Sequence, residues 1–137
     1  MKTVVLVGAA VIDKGKILLL KRVETDDFLP GYYDVPGGKL EEGEDPNKGV
    51  LRELKEETGM DGKVIRPYNV WHEVVDYHGG RKHIIEIDFL VEVRDKSRIK
   101  LSKDEHSEYI WVDRKGIPKK ITPALKKTVM KAFECSR

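Results

Sequence analysis

The sequence predicts a single α/β domain, and three observations lead there. Apolar segments with strand character lie on both sides of one strongly marked helix, and a second amphipathic helix closes the chain. No linker, repeat or low-complexity stretch divides the 137 residues, so one domain spanning 1–137 is expected. A chain of that length can bury a real hydrophobic core. Its 39% hydrophobic and 36% charged residues describe a globular domain with a heavily charged surface.

Residues 4–12 follow Met1-Lys2 and resemble a short secretory leader. Their β-branched content and the Asp13-Lys14-Gly15-Lys16 turn suit a buried strand entering a hairpin better. The stretch is far too short to cross a bilayer. A cytoplasmic protein without membrane contact is therefore expected. Residues 16–23 form the second strand. Residues 24–33, with Asp26-Asp27 and Pro30-Gly31, read as a loop, and 33–35 as a short extended piece before Pro36-Gly37-Gly38. Asp45 is a good N-cap, Pro46 suits the first helical position and Gly59 supplies a stop, which predicts a helix over about 46–58. Residues 63–77 are expected to be extended, with a turn at 78–81. Along 82–93, Ile85, Ile87, Phe89, Val91 and Val93 share one face, while Glu86, Asp88 and Glu92 take the other. Residues 108–113 read as a short strand and 123–133 as the terminal helix.

The net charge of +2 gives no reason to expect nucleic-acid binding. Arg114, Lys115, Lys119, Lys120, Lys126, Lys127 and Lys131 crowd the C-terminal part, and a solvated helix face is the preferred reading. Cys135 is the sole cysteine, which excludes a disulfide framework and a zinc cluster.

The chemistry concentrates on the first helix. On a wheel of 100° per residue, Val50, Leu51 and Leu54 form one apolar stripe, with Asn47 and Thr58 in the same sector at the ends. Lys48, Arg52 and Lys55 fall on the far side. Glu53, Glu56 and Glu57 gather beside the stripe at i, i+3 and i+4 spacing, so their carboxylates share a face. Like charges so placed cost roughly 0.2–0.5 kcal/mol per pair, and more where the protein shields them from water. A hard divalent cation is the natural compensation, and magnesium is commonly shared between carboxylates and substrate phosphates. Gly49 lies on the same sector, where glycine costs roughly 1 kcal/mol relative to alanine. Its bare backbone predicts a close approach by metal-bound phosphate, and Gly37-Gly38 predict another close approach or a positive φ. A solvated face carrying three glutamates is the competing reading.

Residues 38–60 read GKLEEGEDPNKGVLRELKEETGM. This resembles the Nudix box: G, five residues, E, seven residues, then R-E-apolar-x-E-E-x-G-apolar. Gly38, Glu44, Arg52, Glu53, Glu56, Glu57 and Gly59 fill its seven fixed positions, with Leu54 and Met60 at the apolar places. The box covers 23 of 137 residues, and Tyr33-Asp34-Val35-Pro36-Gly37 is similar to the usual lead-in.

The resemblance implies an α/β/α sandwich with a mixed central sheet. It also implies an enzyme that hydrolyses a phosphoanhydride bond in a nucleoside diphosphate linked to another group. It assigns Glu53, Glu56 and Glu57 jointly to catalysis and metal binding, with Glu53 either ligand or general base, and Gly38 as a candidate carbonyl ligand. The cofactor it implies is Mg²⁺, with Mn²⁺ as a substitute. Glu44 and Arg52 are expected to pair as structural support. Outside the box, Arg22 and Lys39 are candidate phosphate contacts. Glu105 is the candidate additional acidic ligand, with Glu108 and Glu86 behind it. Trp111 reads as core. Tyr77, 17 residues after Met60, sits where dinucleoside polyphosphate hydrolases carry a tyrosine, although an ordinary strand residue is the preferred reading.

The expected partner is a small nucleotide, and the chain is expected to be a monomer or homodimer. A nucleoside triphosphate, oxidised ones included, comes first as substrate; ADP-ribose, a nucleotide sugar or a dinucleoside polyphosphate follows. A non-catalytic nucleotide sensor and an enzyme of the RNA-decapping kind are the rival classes.

Overall fold

A computed structural model describes residues 1–26, 28–76 and 79–136. Strand β1 (Lys2–Asp13) is apolar on both faces, with Val7, Ala9, Ala10 and Val11 all at most 1% exposed, so it must be covered on both sides. It runs parallel to β6 (Arg81–Val93), from Lys2 opposite Lys82 to Val11 opposite Val91. Strand β5 (Gly62–Asp76) lies antiparallel to β6 at the edge. At its far end β1 turns through Lys14 (φ 50°) and Gly15 (φ 77°) into β2 (Lys16–Arg22). Positive φ at both positions is what a two-residue hairpin turn requires. Only Ile12–Ile17 and Asp13–Lys16 pair before β2 diverges to join β3 (Tyr33–Asp34) and β7 (His106–Val112). Strand β4 (Gly37–Lys39) fills the space this leaves beside Leu6, Val7 and Gly8 of β1.

Two helices cover the mixed sheet. Helix α1 (Pro46–Thr58) sets Val50 and Leu54 against Val7, Ala9, Val11, Phe89 and Val91. Helix α2 (Pro123–Cys135) sets Leu125, Val129 and Phe133 against Ala10, Leu19, Tyr68 and Leu90 on the opposite face. This is the expected α/β/α sandwich. The α1 caps also follow the prediction: the Asp45 side chain accepts from Asn47 N–H, and Gly59, at φ 74°, donates its N–H to the Lys55 carbonyl. Helix α2 starts the same way, with Thr122 accepting from Leu125 N–H and Pro123 at the first position.

Three features differ from the sequence reading. β4 was not anticipated, because Gly-Gly-Lys has no strand propensity and pairs only through β1. β7 begins at His106 rather than 108. Most consequentially, two of the three acidic residues on the polar face of β6 do not meet water: Glu86 is 9% and Asp88 1% exposed, while Glu92 at the strand's end is exposed. Tyr77 and His78 lie outside the described residues. Among the described residues, no helix is long and apolar enough to cross a membrane.

Candidate functional site

The C-terminal half of α1 faces the Gly37-Gly38 turn. Glu57, 6% exposed, accepts the Gly37 N–H on Oε1 at 2.8 Å. A Cβ on Gly38 would stand 2.6–2.8 Å from the Glu53 carboxyl atoms, and one on Gly37 would stand 2.2 Å from the Val7 carbonyl oxygen. Both glycines are needed because helix carboxylates and strand backbone come this close. Arg52 grips Glu44 through Nε (2.7 Å) and Nη2 (2.9 Å), which ties the preceding loop to the helix. The wheel placed Arg52 away from the carboxylate trio, and the structure corrects that. Its long side chain folds back so that Nη1 reaches Glu53 at 3.0 Å and Glu56 at 3.3 Å. Glu56 stays largely in solvent, its side chain 58% exposed.

The chain returns to this site after β6. Lys100 N–H donates to the Thr58 carbonyl and Ser102 N–H to the Glu57 carbonyl, so the loop satisfies groups that the helix end leaves open. Ser102 in turn accepts from the N–H groups of Glu105 and His106, and the Glu105 carbonyl accepts from Val23 N–H. Glu105 is thereby held over Glu57. Ligand-type atoms of Glu57, Glu105 and His106 lie within 4.8 Å of one another. His106 was missed by the sequence reading. It is 5% exposed, its Nδ1 has no hydrogen-bond partner among the described residues, and burial and then the Arg22 charge bring its pKa down to about 4. Its place directly after Glu105 was the available signal.

Electrostatics make the gathering unfavourable by itself. Burial above all, then the charges of Glu105, Glu53 and Asp34, push the Glu57 carboxyl well above the usual carboxylate range, against the Gly37 N–H. Burial also raises Glu53; Arg52 opposes this, while Glu56 and Glu105 add to it. Glu44, by contrast, is brought down to about 2 by its hydrogen bonds from Arg52 and from Glu41 N–H. The buried Glu57, the partly buried Glu53 and the exposed Glu105, crowded on one another, form an oxygen donor set that fits a hard divalent cation, with the His106 imidazole beside it.

Glu53, Glu57, Glu105, Gly37, Gly38 and Lys39 line one cleft of about 350 Å³. Lys39 is exposed at its rim. Arg22 forms part of its wall, with Nε donating to the Phe28 carbonyl, Nη2 donating to Asp26 and Nη1 3.7 Å from Asp34. Glu86 also touches the cleft, but its Oε2 accepts from Trp71 Nε1 at 3.0 Å. Glu108 accepts from the Tyr33 hydroxyl. The Gly49 reading is overturned: a Cβ there would meet Leu40 Cδ1 at 2.5 Å and Glu44 Oε1 at 2.9 Å. The close approach comes from the chain's own loop, which Arg52 pulls onto the helix. Trp111 packs on the α1-side core. A second cavity of about 120 Å³ shares Arg22, Phe28, Asp34 and Glu86 with the cleft and is walled by Tyr32, Tyr33 and Trp71.

Comparison with known proteins gives consistent results. The NUDIX domain family profile matches residues 2–133. The ADP-ribose pyrophosphatase of Bacillus subtilis is 31% identical over 103 residues, which are 75% of this chain and 54% of that protein. The CTP pyrophosphohydrolase of Escherichia coli is 33% identical over 94 residues, 58% of this chain and 67% of that one. This chain spans only 30% and 47% of two further curated relatives. The crystal structure of a MutT NUDIX hydrolase from Burkholderia pseudomallei superposes with a TM-score of 0.80 at 26% identity, covering 98% of both chains.

Proposed function

Because the chain belongs to the Nudix hydrolase family, we propose that it hydrolyses a phosphoanhydride bond of a nucleoside diphosphate derivative with Mg²⁺. A nucleoside triphosphate yielding monophosphate and pyrophosphate is the first choice of substrate. The observation that carries the reading is the convergence of Glu53, Glu57 and Glu105 beside Gly37-Gly38 in one cleft. Members of the family generally use divalent metals, and relatives carry pyrophosphohydrolase names with different nucleotides.

Glu57 and Glu105 would hold the cation, with Glu56 and the Gly38 carbonyl as further ligands, Glu53 as the alternative ligand should it not serve as the base, and Mn²⁺ as a substitute. When bound, the cation would offset negative charge on the substrate's phosphates and make a nearby water more acidic. Glu53 is the assigned proton acceptor for the attacking water. Burial raises its pKa towards working pH, the direction that favours a general base, and Arg52 at 3.0 Å holds it in place. Arg52 and Glu44 position that carboxylate rather than touch substrate. Lys39, at the cleft rim, meets the outer phosphate. Arg22 is braced by Phe28, Asp26 and Asp34, and presents its charge to the cleft as a fixed wall. In-line displacement at phosphorus needs this positioning and charge more than any covalent partner.

A panel of nucleoside triphosphates, ADP-ribose, nucleotide sugars and dinucleoside polyphosphates, assayed for monophosphate release with Mg²⁺, with Mn²⁺ and with chelator, tests the proposal. Metal-dependent release from at least one of them is expected. Binding without turnover across the panel would mean a nucleotide sensor instead.

A further inference from the structure

The small cavity beside the cleft has a hydrogen-bonding character that the reaction itself does not require. Its walls are aromatic and apolar, as a planar ring would need. Most of its nitrogen donors are already engaged: Arg22 Nε with Phe28 and Nη2 with Asp26, its Nη1 paired in charge with Asp34 at 3.7 Å, and Trp71 Nε1 with Glu86. Tyr33 donates its hydroxyl to Glu108. What remains is carboxyl oxygen from Asp34, Glu73 and Glu86, with the hydroxyls of Tyr32 and Thr122 able to act either way.

Glu86 is the central group. It lies 91% buried beside the cavity, Trp71 and Asp88, on β6, the inner strand between β1 and the edge strand β5. Asp88 is 1% exposed; its Oδ2 accepts from Asn69 while Oδ1 has no partner among the described residues. Two carboxyls buried side by side share a proton rather than both ionise. Burial above all, then the Asp88 contact and the Asp88 and Asp34 charges, raise Glu86, and the hydrogen bond from Trp71 opposes them. With Trp71 donating to Oε2, the remaining lone pairs of the Glu86 carboxyl are acceptors on the cavity wall.

We propose that this cavity binds the heteroaromatic base of the substrate and that Glu86, held by Trp71 and Asp88, selects bases carrying an exocyclic amino group over their carbonyl counterparts. With the exocyclic group facing Glu86, a carbonyl oxygen set against carboxyl lone pairs is repelled, whereas an amino group donates to them. The inference rests on the nucleotide-hydrolase reading and adds a substrate class to it.

Isosteric pairs test it without turnover. Equilibrium binding of CMP against UMP, and of AMP against IMP, is measured calorimetrically on the intact protein. The amino member of each pair is expected to bind about tenfold or more tighter, the size of one hydrogen bond to a charged or strongly polar partner. Glu86→Gln keeps the shape, can still accept from Trp71 and donate to Asp88, and adds a second N–H; the preference should vanish or reverse. Trp71→Phe, which frees the Glu86 carboxyl, should also reduce it. Equal affinities within twofold in the wild type, an unchanged ratio in Glu86→Gln, or no measurable binding of any of the four overturns the proposal. Because hydrolysis is not read, discrimination in a protein that hydrolyses nothing supports the cavity and sinks the catalytic reading. Turnover without discrimination does the reverse.

Discussion

Replacing Glu57 by glutamine should make the metal-free protein more stable and the magnesium-loaded protein less so. The amide can still accept the Gly37 N–H, so the 2.8 Å bond need not be lost. What disappears is a buried negative charge. Carboxyl oxygens of Glu57 and Glu105 lie within 4.8 Å of each other, and full charges near that separation would repel by about 3.5 kcal/mol in an effective dielectric of about 20, a figure that solvent around the exposed Glu105 reduces. The carboxyl can relieve part of this by taking up a proton, so the gain at pH 8 in chelator is expected to be about 1–3 kcal/mol. For a domain of this size that raises the melting temperature by roughly 3–6 °C per kcal/mol. With Mg²⁺ at a thousand times its dissociation constant, the wild type gains about 4.1 kcal/mol and a variant that no longer holds the ion gains far less, which reverses the order. Thermal melts of both proteins in chelator and in excess magnesium read the four values. If the variant melts lower in both, the Gly37 bond dominates and the cation-site reading of Glu57 fails.

Other perturbations separate catalysis from scaffold. Glu53→Gln should lower the catalytic rate about a hundredfold or more with the melting curve intact, since it removes the assigned proton acceptor; near-normal turnover would defeat that assignment. Gly49→Leu should destabilise by roughly 1–3 kcal/mol, because its side chain must displace Leu40 and Glu44, and chemical denaturation measures it. Unchanged stability would show that the loop yields freely. Glu44, with its folded-state pKa brought down to about 2, contributes stability that is complete above its ordinary value near 4.5 and lost as pH falls through about 2. The denaturation midpoint of Glu44→Gln should therefore approach that of the wild type between pH 5 and 2, and a constant gap across that range would exclude the mechanism.

Much of the site could be read from local spacing. The α1 limits follow from Asp45, Pro46 and Gly59, because capping is chemistry within a few residues. The trio's shared face follows from helical geometry. What failed is everything decided by a segment arriving from elsewhere. A wheel shows where a side chain leaves the helix, not where a long one ends, so Arg52 looked remote from carboxylates it touches. It likewise shows that Gly49 lies bare, but not that Leu40 comes to cover it. The alternation along β6 is correct, yet periodicity cannot tell water from the underside of α2, and Glu86 and Asp88 are buried there. Glu105, which the family resemblance put forward, lies beside Glu57, while His106 next to it carried no pattern of its own.

The parallel pairing of β1 with β6 also governs how the molecule comes to exist. Lys2 meets Lys82 and Val11 meets Val91, so the central ladder joins residues about 80 apart in the chain, and no local hairpin can form it. Closing so long a loop is entropically costly before any contact rewards it, which places the folding of such sheets towards the slow end of the range for small domains. Helix α1, capped by its own neighbours, has the means to form early. The segment carrying Glu105 and His106 follows β6 and docks on the end of α1 through Lys100 and Ser102. On the ribosome the helix carboxylates are therefore made long before the residues that complete their site, and the repulsion among them is first felt in a chain still free to avoid it.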